Sequence, residues 1–168
     1  LVRAFGGRSI AVTGEAAKVE TLRAAGAGAG VVAANGAFSK AVWEVNERRG
    51  VEIVIDNVGQ TLAESLRTLL PDGIAVVLGN IAVDPVPVLP GLLIGRRLRV
   101  AGSGMGTYED IRQGLALIKT GAVRPVIDRV LPFAEAGRAH ALVESRAVLG
   151  RVVLRGWFLP PAILPPAN

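Results

Sequence analysis

The sequence predicts an α/β fold built on a doubly wound parallel sheet, and three observations carry that expectation. Short β-branched runs alternate with segments of helical period along most of the 168 residues. One run, 51–56 (VEIVID), is nearly continuous in apolar residues, as in a strand covered on both faces, and 74–78 (IAVVL) is wholly apolar. The connections are short and carry glycine, which suits βαβ units.

The elements follow in order. Residues 1–5, ahead of Gly6 and Gly7, read as the tail of a helix stopped by glycine. Residues 9–13 (SIAVT) form a strand between Gly7 and Gly14. Residues 15–25 form a helix with Val19, Leu22 and Gly26 on one face, and the turn 26–30 leads into a short strand at 31–33. Phe38, Val42 and Val45 stand at i, i+4 and i+7, which predicts a second helix over 37–49, ended by Gly50. After the 51–56 strand, Leu62, Leu66, Leu69 and Leu70 mark a third helix, closed by Pro71, Asp72 and Gly73 before the 74–78 strand.

Residues 81–95 hold Pro85, Pro87 and Pro90 and read as a loop with a short helical turn near its end; 98–101 is a further strand. Thr107 suits an N-cap, with Asp110 three residues on, close to a capping box. Tyr108, Ile111, Leu115 and Ile118 form the expected buried stripe of that fourth helix, which Gly121 stops. Residues 123–131 are extended around Pro125, 134–146 are a fifth helix, and 151–154 are a last strand. The segment 156–168 has four prolines, and its Trp157, Phe158, Ile163 and Leu164 suit the covering of an apolar patch.

Composition removes whole classes of chemistry. The chain has no cysteine and one histidine, His140, so disulfides, thiol nucleophiles and thiolate metal sites are excluded and no metal is expected. No run reaches the roughly 18 apolar residues of a membrane span. Net charge is +5, but the cations are scattered and no aromatics lie among them, which argues against nucleic acid. A basic surface still attracts phosphorylated ligands. The chain begins with Leu1 and its only methionine is Met105, so it reads as the C-terminal part of a longer protein; without a signal peptide or span, a cytoplasmic location is expected.

In open parallel sheets, ligands bind at the carboxyl ends of the strands. There the sequence places Thr13-Gly14-Glu15, Asp56-Asn57-Val58-Gly59, Gly79-Asn80-Ile81 and Gly102-Ser103-Gly104-Met105-Gly106. Glycines there either make tight turns or let a ligand approach the backbone; taken together they favour a ligand crevice. A complete GxGxxG is absent. Gly26, Gly28 and Gly30 follow a helix, the reverse of the required order, and Thr107 takes the third glycine position after Gly102 and Gly104. Asp56 suits a ligand contact and a turn cap equally. There is no serine–histidine–acid set and no carboxylate pair.

The succession AFGGRSIAVTGEAAKVETLRAAGA, VEIVIDNVGQTLAESLRTLLPDGIAVVLGN, LRVAGSGMGT and VRPVIDRVLPFAEAGRAHALVESRAVLGRVVL resembles the second half of a medium-chain dehydrogenase/reductase. Within that superfamily it is most similar to the zinc-free quinone oxidoreductase group related to zeta-crystallin, over residues 1–154. The resemblance implies a Rossmann-like sheet that is incomplete, lacking its first strand and glycine-rich turn. It implies a partial cofactor-binding domain at 1–122, a segment at 123–155 that returns to a catalytic domain, and a Pro-rich tail at 156–168.

The implied cofactor is NADPH, with NADH as the alternative, and the implied acceptor is a quinone or another small activated compound. Gly14 and Lys18 would lie at the adenosine end, Lys18 facing the 2′-phosphate. Glu15 departs from the small hydroxyl residue often found there and would repel that phosphate. A plain helix-start acid in an i, i+3 ion pair accounts for Glu15 and Lys18 equally well. Asn57, Val58 and Gly59 would line the nicotinamide ribose; Gly79, Asn80 and Ile81 would pass beside the nicotinamide; Ser103, Gly104 and Met105 would close the pocket. No catalytic side chain is expected, because the cofactor carries the chemistry. A homodimer paired through the 98–101 strand is also implied.

Loss of the central strand leaves three arrangements for the sheet: the 9–13 and 51–56 strands pair directly, another chain or segment fills the gap, or the sheet splits. The competing functional expectation is a non-catalytic remnant or protein-association module.

Overall fold

The computed structural model describes residues 1–33 and 35–156. These form two compact units, Val2–Arg112 and one beginning at Gln113. In the first, β1 (Ile10–Thr13) is followed by a 3-10 turn at Ala16–Lys18, α1 (Val19–Ala24), β2 (Ala29–Val32), α2 (Ser39–Val45), β3 (Val51–Asp56), α3 (Leu62–Thr68), β4 (Leu69–Val77), α4 (Pro90–Arg96) and β5 (Arg99–Gly102). Strand alternates with helix, and every strand pair is parallel, so the α/β expectation holds.

The sheet is split. β1 pairs with β2 alone, and β3, β4 and β5 form a separate three-stranded sheet. Of the three arrangements left open by the sequence, direct pairing of the first strand with β3 is therefore not the one adopted among the described residues. A pair of helices joins the halves. The Glu64 carboxylate on α3 accepts the backbone N–H groups of Phe38 and Ser39 at 3.0 and 2.9 Å, at the start of α2. Trp43 Nε1 on α2 donates to the Arg67 carbonyl at 3.1 Å. Val51 packs against both apolar clusters, one of Val31, Phe38 and Val42, the other of Leu66, Leu69 and Ala75.

Three sequence expectations are corrected. The third helix stops at Thr68, and Leu69 and Leu70 begin β4 rather than extend the helix. Leu69 is paired with Val51 and completely buried, so this leucine serves strand packing rather than a helical stripe. Pro71, Asp72 and Gly73 lie inside β4, where Asp72 takes a φ of 64° beside the register shift between Val51 and Ile53. Second, β3 is covered on one face only. Val54 faces the Leu66 cluster, whereas Ile53 and Ile55 are 60% and 53% exposed. The helices α3 and α4 cover one face of this sheet, and nothing among the described residues covers the other.

Third, the stripe of α5 (Tyr108–Lys119) is not buried. Tyr108 is 83% exposed, and Ile111, Leu115 and Ile118 are exposed with it. The helical period was read correctly, but no described element lies over that face. The helix start is as expected: Thr107 N–H donates to Asp110 Oδ2 at 2.7 Å, and Asp110 N–H donates to Thr107 Oγ1 at 3.2 Å. Replacing Thr107 with alanine removes the second bond and is expected to lower stability by about 1 kcal/mol in a urea melt. An unchanged midpoint would show that the cap is idle.

The second unit pairs β6 (Ile127–Pro132) with β7 (Arg151–Arg155) in parallel, connected by α6 (Ala136–Glu144). Asp128 Oδ1 accepts the Leu149 N–H at 2.9 Å and fixes the approach to β7. His140 is exposed on α6. Trp157, Phe158, Ile163 and Leu164 lie outside the described residues.

Candidate functional site

β3, β4 and β5 end level. Asp56 is in register with Val77, and Val77 with Gly102, so three loops leave side by side from the carboxyl edge of one sheet. Their first turns are tied to the neighbouring strand or loop. Leu78 N–H donates to the Asp56 carbonyl at 2.8 Å, Ser103 N–H to the Val77 carbonyl at 3.0 Å, and Ile81 N–H to the Val58 carbonyl at 3.1 Å.

Glycine makes this close approach possible. A Cβ on Gly79 would overlap the Asn57 carbonyl group, and a Cβ on Gly59 would lie 2.6 Å from the Gly79 carbonyl oxygen. Gly59 also takes a φ of 85°, a conformation that side chains disfavour. Asn57, Val58, Gly59, Gly79, Asn80 and Ile81 are thus brought together, backbone against backbone.

Asp56 anchors the first of these loops. Its side chain, 3% exposed, accepts hydrogen bonds from Val58 N–H (3.0 Å), Gly59 N–H (2.9 Å), Thr61 Oγ1 (2.9 Å) and Ser65 Oγ (2.8 Å). Burial pushes the carboxyl pKa up, but the hydrogen bonds from Gly59, Ser65, Val58 and Thr61 outweigh it and hold the group below its ordinary value. Of the two readings left open by the sequence, Asp56 is the cap. Thr61 and Ser65, its hydroxyl partners, were missed; an aspartate at a strand end with glycine three residues on is the turn signal that points to them.

The second loop carries its own side-chain lock. Gln60 Nε2 donates to Asn80 Oδ1 at 3.2 Å, Ala82 N–H donates to Gln60 Oε1 at 3.3 Å, and Val83 N–H donates to Asn80 Oδ1 at 3.1 Å. Gln60 was not singled out from the sequence, because a polar residue in a loop gives no pattern of its own.

Beside these loops, Gly102 and Gly104 have no heavy atom within 4 Å of a built Cβ, and Met105 is fully exposed. The floor there is bare backbone, open to a flat ligand. Gly14 is similarly open at the end of β1, in the other half-sheet. Lys18 Nζ lies 2.9 Å from Glu15 Oε1 in the i, i+3 pair that the sequence allowed. Its charge is therefore engaged, and a phosphate there has to compete with Glu15.

The zinc-binding dehydrogenase family model matches residues 26–154. A 2-haloacrylate reductase of Burkholderia sp. is 26% identical over 163 residues, covering 90% of this chain and 49% of that protein. A quinone oxidoreductase of Pseudomonas aeruginosa is 30% identical over 126 residues, covering 69% of this chain and 39% of that protein. The solved structure of the crotonyl-CoA carboxylase/reductase AntE in complex with NADP superposes with a TM-score of 0.84 at 23% identity, over 91% of this chain and 44% of that one. The chain thus spans less than half the length of each. The zinc of the family's description does not fit the residues present: the chain has no cysteine, and among the described residues no three His, Cys, Asp or Glu side chains converge. Among those residues, too, no helix is long and apolar enough to cross a membrane.

Proposed function

The chain belongs to the zinc-binding dehydrogenase family, and from that premise we propose that it is the dinucleotide-binding part of an oxidoreductase that passes hydride from NADPH to a quinone or activated carbonyl compound. The observation that carries this reading is the level ending of three parallel strands, where Gly59 and Gly79 let two loops close on each other and Gly102 and Gly104 offer open backbone rather than side chains. The likeness to a quinone oxidoreductase and a 2-haloacrylate reductase supports the reaction class, and the AntE complex supports NADP as the carrier.

When bound, the nicotinamide supplies the hydride. The chain's residues bind and orient. Asn57, Val58 and Gly59 line the nicotinamide ribose. Gly79, Asn80 and Ile81 would lie beside the ring, and Ser103, Gly104 and Met105 would close the opposite side. Gly14 and Lys18 take the adenosine end, where Lys18 leaves Glu15 for the 2′-phosphate. A homodimer through the outer edge of β5 belongs to the same reading.

Fluorescence titration tests it. The chain is expected to bind NADPH and NADH no more tightly than micromolar, because it spans less than half the length of the relatives it matches. NADPH is expected to be favoured by roughly tenfold, the size of one charge-assisted contact, and Lys18→Ala to erase the preference. Equal binding of both dinucleotides by the native chain would remove Lys18 from the site. Failure to bind either at millimolar concentration would leave the second reading, an association module, which the exposed Ile53, Ile55 and α5 stripe favour.

A further inference from the structure

We propose that Gln60 locks the Asn80 carboxamide in one orientation, so that this side chain meets a bound ligand as a hydrogen-bond donor only. The proposal rests on the dinucleotide reading and sharpens it. It assigns to the residues between the first two loops a role in choosing which group of the ligand faces the sheet.

Backbone amides fix the orientation. An N–H can only donate, so the atom of Gln60 facing Ala82 N–H is its oxygen, Oε1. That leaves Gln60 Nε2 turned toward Asn80, and the Asn80 atom receiving it is an oxygen. Val83 N–H reaches the same Asn80 atom and gives the same answer independently. Two donors therefore fill the acceptor capacity of Oδ1. The opposite end of the carboxamide, Nδ2 with its two hydrogens, has no partner among the described residues, and Asn80 is exposed.

The surrounding loop strengthens the assignment. The N–H groups of Leu78, Ile81, Ala82 and Val83 are all engaged within the protein. Val83 sits at a φ of 61°, a left-handed conformation unfavourable for a β-branched residue, and its bond to Asn80 helps hold it there. An exposed asparagine ordinarily turns over and offers either end of its amide. Here turning over breaks both bonds to Oδ1 and releases a strained backbone. The ligand group that fits is an acceptor: the carboxamide carbonyl of a nicotinamide ring or an oxygen of its ribose.

The test is nuclear magnetic resonance of the ¹⁵N-labelled chain with millimolar NADP⁺. In the native chain the Asn80 side-chain NH₂ pair is expected to shift saturably. In Asn80→Asp, one carboxylate oxygen keeps the bonds from Gln60 and Val83 while the donor becomes an acceptor. The Ala82 and Val83 amides should then stay in place while affinity falls by tenfold or more. In Gln60→Ala, the Val83 amide should move without ligand, and affinity should fall about threefold as the amide becomes free to turn. Replacing NADP⁺ with 2′-phospho-ADP-ribose, which lacks the nicotinamide ring, separates the two acceptors: a retained Asn80 shift assigns the ribose, a lost one the ring carbonyl.

Unchanged affinity in Asn80→Asp overturns the proposal, as does an Asn80 pair that stays still while Ser103–Met105 resonances move. In the latter case the dinucleotide reading survives. If no resonance of the chain moves, that reading fails and the proposal with it.

Discussion

Asp56→Ala is expected to lower stability by about 4 kcal/mol, a large share of the 5–15 kcal/mol typical of a domain. Alanine leaves the Val58 and Gly59 amides and the Thr61 and Ser65 hydroxyls facing a void, and each buried donor without a partner costs about 1–3 kcal/mol, less than additively. Asp56→Asn is expected to cost about half as much. Its oxygen can stay on the two backbone amides while the hydroxyls of Thr61 and Ser65 turn to accept from the new NH₂.

Acid acts on the same bonds. The folded-state pKa of Asp56 lies below its unfolded value of about 4. A carboxyl depressed in this way contributes its full stability above the unfolded pKa and loses it as pH falls through the lower, folded value. Glu64 is held down as well: burial opposes it, but hydrogen bonds from Ser39 and Phe38 and the Arg67 charge prevail. Urea melts from neutral pH down to about pH 3 should show stability falling in that acidic window, and the fall should be shallower in Asp56→Asn. Parallel curves for the native chain and Asp56→Asn would show that Asp56 contributes nothing to acid sensitivity.

Gly79→Ala is expected to cost about 3 kcal/mol and to weaken dinucleotide binding together with stability. The added methyl meets the Asn57 carbonyl group, whose carbon is 2.7 Å away, with Val58 N at 3.4 Å. The obstacle is backbone, so no side-chain rotation relieves it, and the two loops must part. That movement stretches the bonds of Leu78 to Asp56 and Ile81 to Val58. Gly104→Ala is the control, since a methyl there meets nothing within 4 Å and should leave the urea midpoint within about 0.5 kcal/mol of native. A Gly79→Ala chain as stable as native would show that the loops are looser than their geometry.

The parallel character of the sheets and the order of strands and helices were legible because period and glycine punctuation are local signals. The β3 run and the Thr107–Asp110 cap were read from a few consecutive residues, and both are present. The failures share a different cause. Whether Ile53 and Ile55, or Tyr108 and Leu115, are buried depends on what lies opposite them, and apolar spacing tells which residues share a face but not whether that face is covered. Leu69 and Leu70 fit a helical stripe by spacing, but pairing with Val51 beside Gly50 places them in a strand. At the site, Gly59 and Gly79 were legible because each marks a close approach of backbone to backbone. Gln60 was not, since its role depends on Asn80, twenty residues away, and appears only when two loops meet.

The split sheet has a mechanical consequence. A continuous ladder would make β1 and β3 yield together, since each would hold the other's backbone. Here the seam between the halves consists of side chains, Glu64 clasping the first turn of α2, Trp43 reaching Arg67, and Val51 wedged between two clusters. The β1–β2 half can therefore loosen while the β3–β5 half stays intact, so a dinucleotide laid across both, as proposed above, would rest on ground of unequal firmness.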